Sequence, residues 1–392
     1  MNICFISKEY PPETAGGGIG THVYALSLAL AKRGHSIVVL SSTLEAQPSY
    51  IMRNGIHLYR IPVPKRFGLF NRLIYAIWVR KRFLALIPMH NIQVVEAPEF
   101  DAESVFLELF GCPVPVVVRL HTGTYVLYKM ARKLSRDPIA ILAIIMEWLA
   151  IYKADAITAP THFMATFCKK TLKLPDRNIQ ILPNAVDLPN GLDIKKYYGK
   201  RRARVLYVGR LESRKSPDFL ARVIPEILKV FPRTTFTFIG EDVLQGPGKL
   251  SMQRYCESLI GTDFMDNVDF LGRRSHEEVE EYLSDSEVFV LPSRFESFGI
   301  VYVEAMLHQL PIVACRGSGI EEVIPENVAG FFVGQGDAQA LRDAILRLLG
   351  SVQLRRKLGK AGREFALSQF IAPLVAEAHE AFYQSLINRK AG

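Results

Sequence analysis

Short runs of apolar, β-branched residues recur along this chain, and longer stretches with the apolar spacing of a helix separate them. The runs over 2–7, 37–41, 57–61, 93–96, 114–120, 156–159 and 179–182 read as a first series of strands. Those over 204–208, 235–239, 268–271, 288–291 and 312–314 read as a second. These runs are apolar throughout rather than at alternate positions. A strand without a polar face is covered on both sides, the condition of a parallel sheet sandwiched by helices. Strands alternating with helices predict an α/β chain, and two series predict two doubly wound domains. The break falls in Pro183-Asn-Ala-Val-Asp-Leu-Pro-Asn-Gly191, rich in turn formers. We place the domains at 1–190 and 191–371, with 372–392 as a C-terminal helix crossing back to the first domain. Ligands of doubly wound sheets bind beyond the carboxyl ends of the strands, so the cleft shared by two such domains is the expected site.

Composition supports packed domains: 49% of the 392 residues are hydrophobic and 22% charged. The five cysteines are odd in number and widely spaced, which reads as reduced thiols in a cytoplasmic protein rather than a disulfide or zinc framework. Met1 to Ile6 is followed at once by Ser7-Lys8-Glu9, unlike a signal peptide. The longest apolar stretch, 138–151, contains Glu147 and is too short for a membrane span.

The net charge of +9 is uneven. Residues 1–190 hold 21 basic and 13 acidic side chains, whereas residues 191–392 hold 27 and 26. The excess points the first half at something anionic. No nucleic-acid module is present, so an anionic membrane or acceptor is favoured over nucleic acid. The segment from Lys65 to Arg82 sharpens this. Basic residues stand beside Phe70, Ile74, Ile77 and Trp78, and no acid occurs between Glu45 and Glu96. It reads as a core helix with a basic outer face, or as a peripheral contact with an anionic membrane.

The most informative stretch is Phe295-Glu296-Ser297-Phe298-Gly299-Ile300-Val301-Tyr302-Val303-Glu304. A strand ends just before it at Pro292, and helical character begins near Val301. Glu296 therefore falls on a loop and Glu304 on the second turn of a helix. The free amides of that helix start favour an anion such as phosphate. Carboxylates accept hydrogen bonds from polyols. Amides for phosphate beside carboxylates for hydroxyls suit a nucleotide-sugar.

Three further motifs follow strand ends. Gly16-Gly17-Gly18-Ile19-Gly20 opens a helix over 21–33 and lets a ligand approach the backbone. A dinucleotide-binding site fits it poorly: eight residues separate Ser7 from Gly16, and the second strand ends Leu40-Ser41-Ser42 with no acid for a ribose. Arg210 and Lys215 lie five apart across a turn, and both reach for one diphosphate. His121 ends the strand Val118-Arg119-Leu120 and faces the cleft.

The spacing Glu296-x7-Glu304 around Phe298-Gly299 resembles the signature of glycosyltransferase family 4 (glycosyl transferases group 1), retaining enzymes of the two-domain GT-B architecture. Gly209-Arg210-x4-Lys215 is similar to the same family's diphosphate element. Pro183-Asn184-Ala185-Val186-Asp187 is similar to its Pro-Asn-Gly-Val-Asp hinge, with Ala185 replacing the glycine. The resemblance covers most of the chain and is weakest over 43–110. It implies two Rossmann-like domains facing a central cleft, and sugar transfer from a nucleoside-diphosphate sugar to an acceptor hydroxyl with retention. It implies that Glu296 contacts the donor sugar, and that Phe298, Gly299 and Ile300 hold sugar and phosphate through their backbone. Glu304 binds the ribose, and Arg210 and Lys215 stabilise the leaving diphosphate. His121 supports the reacting carbon without being its general base, and Gly17 and Gly18 line the diphosphate and acceptor. The loop 317–322 borders the diphosphate and Arg273 the nucleobase. The leaving phosphate assists deprotonation of the acceptor. No Asp-x-Asp string occurs, so no metal and no cofactor beyond the donor are expected. A nucleotide-sugar epimerase of the same architecture, or a catalytically silent membrane-associated binding protein, are the alternatives.

Overall fold

In the computed structural model, residues 1–12, 14, 17–64, 70–130, 137–174, 177–188 and 203–391 are described. The elements run β1 (Asn2–Ile6), α1 (Gly18–Lys32), β2 (Ser36–Thr43), β3 (Ser49–Arg53), β4 (Ile56–Pro62), α2 (Asn71–His90), β5 (Val94–Pro98), α3 (Val105–Leu109), β6 (Val116–Arg119), α4 (Thr124–Met130), α5 (Pro138–Lys153), β7 (Ala156–Ala159), α6 (His162–Leu172) and β8 (Ile179–Ile181). They continue β9 (Arg204–Val208), α7 (Pro217–Val230), β10 (Thr235–Ile239), α8 (Met252–Ile260), β11 (Val268–Phe270), α9 (His276–Ser284), β12 (Val288–Leu291), α10 (Ile300–Leu307), β13 (Ile312–Cys315), β14 (Gly330–Val333), α11 (Ala338–Leu349), α12 (Val352–Gln369) and α13 (Ala372–Ala391).

The chain forms two compact units, Met1–Asp187 with Phe370–Gly392, and Leu188–Gln369. The first holds an eight-stranded sheet of order β3-β4-β2-β1-β5-β6-β7-β8, parallel except for β3. Successive side chains of its central strands enter opposite cores, as a pleated strand requires. Ile3 and Phe5 of β1 pack with α1 and α13, whereas Cys4 and Ile6 pack with Tyr75, Val79, Phe83 and Leu86 of α2. This two-sided burial is why the strands read as unbroken apolar runs. Helix α13 covers one sheet face beside α1: Val375, Ala376, Tyr383 and Leu386 join that core, and Arg33 pairs with Glu380 at 2.6 Å.

The second unit is wholly parallel, of order β11-β10-β9-β12-β13-β14. Strand progression reverses between β9 and β12, which makes that point the crevice of the sheet.

Two strands were absent from the sequence reading. β3 is an exposed edge strand whose alternation is blurred by Met52 and Arg53. Its turn, Asn54-Gly55, has φ of 52° and 76°, the left-handed pair that closes a tight hairpin. β14 is only Gly-Phe-Phe-Val. Gly330 starts it because a Cβ there would meet the Ile312 carbonyl oxygen at 2.1 Å.

Candidate functional site

In the second unit, the loops after β9 and β12 flank the reversal point, and they are stitched together. Lys215 Nζ lies 2.5 Å from Glu296 Oε1. Arg214 pairs with Glu212 at 2.6 Å, donates to the Phe295 carbonyl at 3.1 Å, and stands 3.5 Å from Glu296 Oε2. The Arg294 amide donates to the Arg214 carbonyl at 2.8 Å, and Arg294 Nε to Ser216 Oγ at 3.1 Å. The β9 loop is held from its other side by Gly240. A Cβ there would meet the Gly209 carbonyl oxygen at 2.0 Å, so glycine allows the β10 loop to run against it. Bonds from Gly209 N to Ile239 O and from Leu211 N to Glu241 O, both 2.8 Å, close that contact.

Glu296 is buried. Burial alone would raise its carboxyl, but Lys215 and Arg214 outweigh that and hold it below the usual range. Burial lowers the Lys215 ammonium, and Glu296 opposes the drop. The pair is therefore an ionised carboxylate against a protonated lysine.

The Phe298–Glu304 segment owes its shape to one glycine. Gly299 caps α10 at φ 79°, and a Cβ there would lie 2.5 Å from the Tyr302 ring. That ring is fixed by a 2.6 Å bond from its hydroxyl to the Leu291 carbonyl. Phe298 is buried, and no side chain caps the helix start. Ile300 opens α10, and Glu304, four residues on, shares its face and points back toward the helix start. The Gly319 amide donates to the Glu296 carbonyl at 3.0 Å, which brings the loop 317–322 to the same place, with the Ser318 hydroxyl buried and without a partner. Arg273 stands exposed after β11, behind Gly272 at φ 66°.

The structure thus gathers Lys215, Glu296, Phe298, Gly299 and Ile300 around the β9/β12 reversal. It separates Arg210 from Lys215 in environment. Arg210 is 58% exposed and only loosely paired, at 3.7 Å from Glu212 and 3.9 Å from Glu241. Arg214 and Glu212 were missed from sequence. Their signal was an arginine beside Lys215 with a carboxylate two positions before it.

In the first unit the reversal lies between β1 and β5. Here the glycine reading needs correction. Gly16 lies outside the described residues, and α1 begins at Gly18, so Gly18 and Gly20 are helical rather than loop. The Gly17 amide donates to Glu9 Oε2 at 2.9 Å, and Cβ atoms on Gly17 and Gly20 would strike Glu9 at 2.4 and 2.8 Å. Those two glycines make room for Glu9; of the described glycines in this motif, only Gly18 opens onto free space.

His121 follows β6, and its amide donates to Glu99 Oε2 at 2.7 Å. Burial, aided by Arg119, drives its imidazole well below the usual value, so the ring is neutral. Beside it sits a carboxyl group that sequence reading missed. Burial and the neighbouring Glu147 push Glu99 up to about 8, and burial pushes Glu147 to about 7. Glu147 accepts from the Thr124 hydroxyl at 2.6 Å and the Asp101 amide at 3.2 Å. Asp101 and Ala102 hold φ of 63° and 47°, a strained turn against this cluster.

His22, Glu96 and His379 bring ligand atoms within 4.8 Å of one another. They do not fit a metal. The Ala185 amide donates to His22 Nδ1 at 2.9 Å, which places the ring proton on Nε2. His379 Nε2 lies 3.3 Å from a nitrogen of the buried Arg119 guanidinium, while its Nδ1 faces the Val375 carbonyl at 2.8 Å. A fixed cation already fills the space. Arg119 also donates to the Leu182 and Pro183 carbonyls and to Asn184, locking the 182–186 segment and α13 onto the first sheet.

Of the basic segment, residues 65–69 lie outside the described ones. The rest enters α2, which buries Tyr75, Ala76, Val79, Phe83 and Leu86 and exposes Ile77, Trp78, Lys81 and Arg82.

Two family models match this chain, one over each unit. "Glycosyltransferase Family 4" covers residues 16–189, and "Glycosyl transferases group 1" covers residues 193–365. The chain belongs to this family of glycosyltransferases.

This glycosyltransferase is 24% identical over 390 residues to an N-acetyl-alpha-D-glucosaminyl L-malate synthase of Bacillus anthracis, covering 96% of each chain. Its fold matches a sucrose-phosphate synthase from Thermosynechococcus elongatus with TM-score 0.80 at 21% identity, covering 99% of this chain and 100% of that one. It also matches the Anabaena protein HepE, solved in complex with UDP and glucose, with TM-score 0.68 at 18% identity over 98% and 100% of the two chains. The architecture is GT-B.

Proposed function

We propose that this glycosyltransferase moves a sugar from a nucleoside-diphosphate sugar to an acceptor hydroxyl with retention of anomeric configuration. The single observation that carries this reading is the Lys215–Glu296–Arg214 network across the β9/β12 reversal. A leaving nucleoside diphosphate develops negative charge, and cations preorganised in a buried setting stabilise it more than cations in water do. Lys215 serves as a point charge. The exposed Arg210 supplies a planar fork that is free to swing onto a phosphate. The open start of α10 adds oriented amides for the phosphate. Glu296, kept ionised, accepts hydrogen bonds from the donor sugar, and Glu304 does the same for the ribose. Arg273 and the 317–322 loop border the nucleotide. For the first unit, neutral His121 is kept as a donor-sugar contact and Gly18, which opens onto free space, as the backbone approach for a ligand, while Gly17 is engaged by Glu9.

The acceptor in this reading is a saccharide or lipid-linked saccharide, supported by the excess positive charge of the first half. No metal takes part, so transfer continues in excess chelator. The relative named as an N-acetyl-alpha-D-glucosaminyl L-malate synthase and the neighbour solved with UDP and glucose support the donor class.

The test is a panel of nucleoside diphosphates and their sugars against thermal unfolding, run beside Arg210→Ala and Glu304→Ala. A ligand at a hundred times its dissociation constant stabilises by about 2.7 kcal/mol. A shift with one base, lost in both variants, is expected. Well-folded protein that responds to none of them would overturn the donor assignment.

A further inference from the structure

Helices α2, α3 and α5 form one layer on the sheet face opposite α1 and α13. Their inner sides share a core built on Ala76, Ala102, Val105, Met146 and Ala150, with Leu73, Leu142 and Leu149 packed against it. Their outer sides are unusually apolar for a solvated surface. Ile141 and Ile145 are 45% and 49% exposed, and Tyr152 lies on the same helix face at spacings of four and seven. Phe110, at the end of α3, is 68% exposed, and Ile77 and Trp78 project from α2. The Arg80 guanidinium, donating to the Phe106 carbonyl at 3.1 Å, lies 5.7 Å from the Phe110 ring and joins α2 to this end of α3.

The rim of this surface is basic. Lys129 bonds Thr171 at 2.9 Å, and Trp148 Nε1 donates to the Leu172 carbonyl at 3.3 Å, so the end of α6 lies against α5. That end carries the exposed Lys170 and Lys173. Lys153 is exposed at the end of α5, and Lys81 and Arg82 are exposed on α2. The acidic side chains near it are buried, paired or engaged as a helix cap. Between residues 71 and 174, Glu96, Glu99, Glu103 and Glu147 are buried, Asp101 is paired with Lys8 and Arg72, and Glu108 is bonded to Ser104. Asp137 caps α5 by accepting from the Ile139 amide, and Asp155 is paired with Lys390.

We infer that the outer face of the α2–α3–α5 layer docks on an anionic lipid bilayer. Isoleucine, tryptophan and tyrosine side chains enter the acyl boundary, and the lysine rim meets the phosphate headgroups. Charge complementarity selects this occupant: an apolar face whose exposed rim is mainly lysine, with Asp137 capping α5 and Asp155 paired with Lys390, matches an anionic membrane, whereas a second copy would set lysine against lysine. Among the described residues no helix is long and apolar enough to cross a membrane, so the contact lies in the interface plane. The inference stands apart from the donor assignment, because lipid binding is read without turnover.

The experiment is co-flotation of the full chain with phosphatidylcholine vesicles, with and without phosphatidylglycerol. Wild type is expected to float only with anionic vesicles, and less as salt rises. Ile141→Glu with Ile145→Glu should lower the partition at least about tenfold. Lys153→Gln, Lys170→Gln and Lys173→Gln should each lower it about fivefold. Lys357→Gln with Lys360→Gln, exposed on α12 of the second unit, should leave it unchanged. Circular dichroism confirms that each variant is folded, and the lysine series keeps the test decisive if the double glutamate variant is not. Absence of flotation, or equal flotation of all variants, overturns the inference. So does a wild-type dimer in sedimentation that the double glutamate variant splits, which would show that a second copy covers the face.

Discussion

Glu296 shows how one side chain is committed by its neighbours. It is a buried carboxylate, and chiefly Lys215 and Arg214 make its charge tolerable. Removing one member of such a set leaves the others buried and unpaired. Glu296→Gln is expected to reduce transfer by about 10²–10³-fold, measured as turnover at saturating donor, as for other losses of preorganised charge. Arg210 makes no comparable structural demand. Arg210→Ala should leave the melting temperature unchanged and lower kcat/KM for the donor about 10–100-fold, the worth of one charge-assisted bond. Gly299 answers to geometry instead. Gly299→Ala forces a side chain at φ 79° against the Tyr302 ring and should cost about 2 kcal/mol or more in urea unfolding, with loss of donor binding.

At the level of elements, helix ends and strand ends decide where chemistry is placed. The last turn of α11 is capped by a buried arginine of α12. Arg355 Nη1 donates to the Leu348 and Leu349 carbonyls at 2.7 and 2.9 Å, and its Nε bonds Glu287 at 2.9 Å, just before β12. That ties the last turn of α11 to the strand whose following loop carries Glu296. Arg355→Ala strands the buried Glu287 and should cost about 3–5 kcal/mol, seen as a lowered urea midpoint. Elements with strong periodicity and regular ends were legible: β9, β10 and β12 fall where their apolar runs fall. The start of α1 was not. Glycines argue against a helix interior, yet Gly18 and Gly20 are helical, and at Gly20 glycine is required because the neighbouring Glu9 leaves no room for a side chain.

For the molecule as a whole, the two units respond differently to pH. The first holds buried carboxyl groups raised from the ordinary 4.5: Glu99 and Glu108 to about 8, Glu103 and Glu147 to about 7, each chiefly by burial. They stay protonated in the folded unit, whereas the unfolded chain releases those protons above about pH 4.5. Their stabilising contribution is complete below that pH and is lost as pH rises through 7–8. Neutral His22, His121 and His379 act in the opposite sense, since the unfolded chain takes up their protons below about pH 6.5. The two effects oppose each other below pH 6.5, and only the carboxyl loss continues above it. The melting temperature of the first unit should therefore fall between pH 6.5 and 8.5. Glu99→Gln should flatten that fall, and a slope equal to wild type would refute the buried-acid account. The amino-acid sequence by itself determined that there are two parallel α/β units, because strands buried on both faces leave continuous apolar runs. It also determined the helix start between Glu296 and Glu304, because strand end, glycine and helix are local signals. Tertiary structure alone decided which charges meet. Lys215 reaches Glu296 across 81 positions, Arg119 reaches His379 across 260, and Glu99 meets Glu147 inside the first unit. Such pairings depend on how distant strands stack, and the energy of a buried charge is set by those neighbours rather than by its place along the chain.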